Sequence, residues 1–326
     1  PLKGPRKARL PLKAAQALET PGTPIERLIY VGDTRLNDGT AFINIARAGN
    51  WPGMAFIASE RERVSPPEIV EKPGGTLYLA DCWPAMEDFE QYYRESGFPI
   101  DEGTVVIIDI DKTALGARGR NDHLINQARV AAVRSTVEDL LGGAFDLESF
   151  QSTYRKLNQV EFHPFTTDNQ DYLAYICLIL GSGLLGLESL LARVRTGELD
   201  SFQQFIAKVD ERAAALPSSL REIHQRIYIR VRAGDPTPFK AFRYNEFRAT
   251  VDRMGCFKEE VPADVLLANE IVVTQEVRAA ALRWKEKGAL LFGLSDKPDE
   301  ASVPTEDLAT QGYRPIHRVL SHAVGV

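Results

Sequence analysis

Cysteine is scarce in these 326 residues: Cys82, Cys177 and Cys256 are the only three, and they are widely separated. That excludes a disulfide framework and a C-x-x-C zinc site, and it points to a reducing, cytoplasmic setting. Positive charge is also short. The formal net charge is −6, so the chain lacks the basic footprint of a nucleic-acid binder. An anionic ligand must then be handled locally, by a metal, a few cations and backbone amides. Long apolar runs are missing too, because the least polar window, Tyr172 to Leu187, is too short for a normal membrane span and is closed by Asp171 and Glu188. The five histidines show no metal-ligand spacing, and the stretch from Pro1 is basic and proline-containing, without the apolar core of a signal peptide. No internal repeat or low-complexity run is evident.

What is present is an ordinary globular balance, 44% apolar and 26% charged, in a length that predicts two domains. The most informative stretch is Val105 to Thr113, VVIIDIDKT, where a β-branched run ends in two carboxylates and a hydroxyl. A buried strand that delivers Asp109 and Asp111 to its carboxyl end looks like a site, since uncompensated charge is not normally placed there. Two carboxylates about 4 Å apart repel by roughly 4 kcal/mol at an effective dielectric near 20. A hard cation such as Mg²⁺ or a shared proton would neutralise them. The plainer reading is a strand-end turn in which one Asp caps the next segment.

Along the chain, Leu12 to Leu18 reads as a short helix and Leu28 to Val31 as a buried strand running into GDTRLNDG, Gly32 to Gly39. Ala41 to Ala48 is helical in pattern. Met54 to Ala58 and Thr76 to Ala80 read as further strands across a charged, proline-bearing loop, and Met86 to Glu95 as a helix. Strand and helix in alternation predict a mostly parallel, Rossmann-like α/β sheet covered on both faces. From about Leu124 to Met254 the period is helical throughout, with Tyr172 to Leu191 apolar on more than one face. The sheet pattern then resumes with a helix from Val273 to Trp284, a buried strand Ala289 to Leu294 leading into SDKP, and a last short strand at Ile316 to Leu320. The expected division is an α/β core of residues 1–120 and 263–326 and an inserted all-α domain of 121–262.

Three strands thus end in DIDKT, GDTRLND and LSDKP, and in an open α/β sheet such ends form the ligand crevice. The set resembles the haloacid dehalogenase-like superfamily of phosphohydrolases, with its DxDx[TV] first motif, a Ser or Thr closing an apolar strand, and GD followed by an acid. The order departs from that pattern, because here the GD loop precedes the other two motifs. The chain therefore resembles a circular permutation of the superfamily, with a helical insert where C1-type caps occur. The resemblance implies Asp109 as nucleophile and Asp111 as general acid and base. It implies Mg²⁺ held by Asp109, the backbone carbonyl of Asp111, Asp33 and Asp38, with Asn37 an alternative to Asp38. Ser295 would bind the transferring phosphoryl group, together with the motif Lys, for which Lys7 fits best and Lys3 and Lys13 are rivals. Thr113 is counted with the phosphate-binding residues, as a positioning group. The implied activity is hydrolysis of a small phosphorylated metabolite, since Asp111 favours phosphate esters or phosphoryl transfer. A phosphomutase or phosphotransferase, and a non-catalytic protein-binding module, are the alternatives.

Other signals weigh less. GSGLLG, Gly181 to Gly186, matches a dinucleotide fingerprint but lacks the following strand, so a close helix-helix approach is expected. Lys297 reads as a phosphate contact or a solvent-facing turn lysine. His123 and Arg118 or Arg120 follow the first motif and are candidate substrate contacts, and Lys240 to Arg248, KAFRYNEFR, reads as a solvated helix face, with presentation of cations to a phosphorylated ligand as the alternative.

Overall fold

The computed structural model describes residues 24–167 and 169–325. The chain divides into two compact units. One is made of residues up to Asn126, Asp252–Asp296 and the residues from Val319, and the other of Gln127–Val251 and Lys297–Arg318.

The first unit is α/β. Its sheet contains β1 (Arg27–Gly32), β2 (Gly53–Ala58), β3 (Glu68–Lys72), β4 (Gly75–Ala80), β5 (Thr104–Asp109) and β7 (Leu290–Leu294), in the order β3-β4-β2-β1-β5-β7. All neighbours are parallel except β3 with β4. Side chains alternate along β1 and both faces are covered. Leu28 and Tyr30 pack with Phe42 and Ile45 of helix Asn37–Gly49, while Ile29 and Val31 face Phe89 of helix Met86–Glu95 and Trp284 of helix Gln275–Glu286. β6 (Val273–Thr274) and β8 (Ala323–Val324) form a separate two-residue parallel pair.

Four expectations are corrected. The loop read between β2 and β4 contains β3, an exposed charged edge strand that has no apolar run to betray it. β7 is the opposite edge and only half buried, with Gly293 exposed, because β5 flanks it on one side alone. Ile316–Arg318 is a 3-10 turn and the terminal strand lies later, at Ala323–Val324. The domain limits also differ. Residues 252–262 stay with the α/β unit, where the Ile271 amide donates to the Arg253 carbonyl at 2.7 Å and the Cys256 amide to Glu270 at 3.0 Å. Residues 297–318 join the helical unit, through Lys240 to Glu300 at 3.2 Å and the tilted ring pair Phe247–Tyr313. The helix read at Leu12 to Leu18 lies outside the described residues.

The second unit is helical, centred on Gln170–Gly181, whose Tyr172 to Ile179 are all buried. The GSGLLG residues make the turn into helix Leu187–Arg195, and no strand follows. Helix Lys240–Val251 is not a solvated face: it carries Arg243 and Glu246 inward. Buried Glu246 lies 2.6 Å from Arg243, 3.5 Å from Arg129 and 3.4 Å from Lys297, so Lys297 is not a solvent-facing turn lysine. Burial raises its carboxyl, but Lys297, Arg243 and Arg129 overcome that and hold it well below the usual range.

Asp171 shares Arg243 with Glu246 and is the worse served of the two. Burial pushes its carboxyl up to about 6 despite Arg243 and the Phe239 amide. A folded value above the unfolded one means the group stabilises the fold below about pH 4 relative to higher pH, and that contribution is lost as the pH rises to about 6. Over that window Asp171→Asn, which cannot ionise, is expected to gain on the wild type by roughly 2–3 kcal/mol. Urea unfolding at pH 4, 5 and 6 measures the difference.

Candidate metal and phosphate site

The register places the site. Val31 of β1 pairs with Ile108 of β5, so the Gly32-Asp33 exit from β1 and Asp109 at the end of β5 leave the sheet side by side. Asp109 pairs in turn with Leu294, and the Ile110 amide donates to the Leu294 carbonyl at 3.1 Å, which brings Ser295 to the same edge. Carboxylate oxygens of Asp33, Asp38 and Asp109 all lie within 4.8 Å of one another, and all three residues are buried. Of the two rival positions in the GD loop, Asp38 joins the cluster while Asn37 is exposed.

Asp38 is held from four sides. Its Oδ1 accepts the Tyr30 hydroxyl at 2.9 Å, and its Oδ2 accepts the Asp33 amide at 3.2 Å and the Thr34 amide and hydroxyl at 2.9 and 2.7 Å. Burial, then the charges of Asp38 and Asp109, push the Tyr30 phenol far above its ordinary range, so it remains a donor. Asp33 is ion-paired with Arg118. Burial drives its carboxyl up to about 6, opposed by Arg118 and reinforced by Asp38. The Thr113 hydroxyl donates to Asp109 Oδ2 at 3.2 Å from a fully buried position, and Thr274 in turn donates to the Thr113 carbonyl. Thr113 therefore positions the Asp109 carboxylate. Lys112, in a left-handed conformation, sends its ammonium to Asn126 at 2.9 Å.

Gly32 is required by this packing. A Cβ there would stand 2.5 Å from the Asp38 Cβ and 2.6 Å from its Cγ. Gly32→Ala is expected to displace Asp38 and lower stability by about 1–3 kcal/mol, read from urea unfolding.

Asp111 is half buried just beyond the strand, and its carboxylate falls outside the three-acid cluster. Lys7, Lys3 and Lys13 lie outside the described residues. Arg118 and Arg120, weighed as substrate contacts, have protein partners instead. Arg118 holds Asp33, and Arg120 binds Glu60 and both oxygens of Glu276 at 3.0 Å. Tyr30 and Thr34 were not singled out by the sequence. A lone phenol in the run LIYV, directly before GD, was the available signal for Tyr30.

Comparison of the chain with protein-family models, curated proteins and solved structures returns no match.

Proposed function

We propose that the chain is a Mg²⁺-dependent phosphatase of small phosphorylated molecules, a circularly permuted relative of the haloacid dehalogenase-like hydrolases with a helical insert at the place of a C1-type cap. What supports this above all is the meeting of Asp33 and Asp38 with Asp109, acids from separate strands, at the carboxyl edge of one sheet. Three buried carboxylates with one arginine on the outermost suit a hard, oxygen-seeking cation. Asp33, Asp38 and Asp109 would hold it, with the Asp111 carbonyl. When bound, Mg²⁺ offsets the repulsion between a carboxylate and a phosphate anion.

The chain's own residues do the rest. Asp109 Oδ attacks phosphorus, the bond to the leaving oxygen breaks, and Asp111 gives that oxygen its proton. Asp111 then takes a proton from the water that attacks the aspartyl phosphate, releasing phosphate and restoring Asp109. Thr113 keeps the nucleophile in one rotamer, and Ser295 donates to the phosphoryl oxygens. A panel of phosphorylated metabolites, assayed for phosphate release with and without EDTA, tests the proposal. Release that EDTA abolishes supports it. Phosphate moved to an acceptor instead of water marks a phosphotransferase or mutase.

A further inference from the structure

The turn that follows Asp109 is strained and closed on itself. Lys112 has φ +63°, a left-handed conformation that the Cβ of an L-residue disfavours. It is held by bonds from the Lys112 amide to the Leu115 carbonyl and from the Arg118 amide to the Lys112 carbonyl, both at 2.8 Å. The Ala114 and Leu115 amides return to the carbonyls of Asp109 and Ile110 at 3.1 and 2.9 Å. A conformation of this kind persists only where its surroundings fix it.

Those surroundings come from a distant stretch of the same unit, residues 267–274. The Gly116 amide donates to the Val272 carbonyl at 2.9 Å, the Thr274 amide to the Ala114 carbonyl at 3.0 Å, and Leu115 bridges Val273. Two buried polar side chains complete the join. The Thr274 hydroxyl donates to the Thr113 carbonyl, and Thr274 is only 1% exposed. Asn121, fully buried, is satisfied at both ends of its amide: Nδ2 donates to the Leu267 and Glu270 carbonyls at 2.8 and 3.0 Å, and Oδ1 accepts the Val272 amide at 3.1 Å. The stretch is itself backed, because β6 pairs with β8 and the Val273 amide donates to the His322 carbonyl at 2.8 Å.

A valine would fill the space of Thr274 and leave no hydroxyl to satisfy. A buried polar group that finds every partner fixes one arrangement where an apolar one would allow several. Here the arrangement it fixes is that of the peptide bearing Thr113, whose own hydroxyl reaches Asp109 Oδ2 at 3.2 Å.

We propose that Thr274 is a positioning residue for Asp109: from a base pinned by Asn121 it holds the turn after β5, so that Thr113 presents the carboxylate in one geometry. The inference rests on the phosphatase reading for its effect on turnover, and on the contacts alone for its effect on the turn.

Thr274→Val in the full chain keeps the shape and removes the hydroxyl. It is expected to speed hydrogen exchange at the Ala114 and Leu115 amides by at least about tenfold, while the Tyr30 and Val106 amides of β1 and β5 keep their rates. With p-nitrophenyl phosphate and Mg²⁺ it is expected to lower kcat about tenfold at unchanged KM, the mark of an interaction used only in the attack. Thr274→Ser, which restores the hydroxyl, is expected to recover both. Thr104→Val is the control, since it removes a fully buried hydroxyl at the opposite end of β5 and should leave kcat within about twofold. An equal loss of kcat in that control would reduce the effect to general loosening and overturn the proposal. Unchanged exchange at Ala114 and Leu115 would overturn it too. If the wild type releases no phosphate, the phosphatase reading is at fault and exchange alone decides: acceleration confined to the turn upholds Thr274 as its holder, and none removes it.

Discussion

Asp109→Asn is expected to reduce phosphate release by at least ~10⁴-fold, the scale on which loss of a nucleophile is felt. The change is nearly isosteric. Its amide oxygen can still accept the Thr113 hydroxyl that now bonds Asp109 at 3.2 Å, so the loop after β5 keeps its anchor. What disappears is the anionic oxygen proposed to attack phosphorus and one carboxylate of the three-acid cluster. Thermal unfolding monitored alongside phosphate release separates loss of chemistry from loss of fold. A non-catalytic binding module would behave oppositely, since its partner affinity would survive the substitution. Wild-type turnover in the variant would remove Asp109 from the role of nucleophile.

Glu246→Ala is expected to lower the stability of the chain by about 3–5 kcal/mol, the penalty for leaving buried charge without its partner. Glu246 is 1% exposed and faces Arg243, Arg129 and Lys297. Its removal takes from Arg243, Arg129 and Lys297 the buried carboxylate they share, while Arg243 keeps Asp171. Glu222, paired with Arg226 on the surface at 71% exposure of both side chains, supplies the control. Its alanine variant should change stability by less than about 0.5 kcal/mol. Urea unfolding of the two variants reads the contrast. Equal effects would mean that the buried cluster does not hold the helical unit together.

The two kinds of strand explain what was legible. β1, β2, β4 and β5 showed themselves as apolar runs, because central strands of a doubly covered parallel sheet bury both faces. β3 could not, since an exposed antiparallel edge keeps its charges. Helix Met86–Glu95 was read with its observed limits, and its Phe89 and Tyr93 pack into the core. The acids of the site were legible as strand-end carboxylates. The ion pair that opposes the effect of burial on one of them was not. Arg118 reaches Asp33 across 85 positions, and an arginine in a loop gives no sign of the partner it will find. Lys297 hid for a similar reason: its counter-charge Glu246 lies in a helix 51 positions away by number, whose polar residues read as solvated.

Calorimetric titration of the full chain with Mg²⁺, repeated on Asp33→Asn and Asp109→Asn, reaches the common premise most directly. One saturable site in the wild type, weakened at least about tenfold in both variants, is the expected outcome if the acids at the ends of two strands hold one cation, as proposed. Binding that survives both substitutions unchanged would mean that the acids at the ends of β1 and β5 do not share an ion, and the phosphatase assignment would lose its foundation.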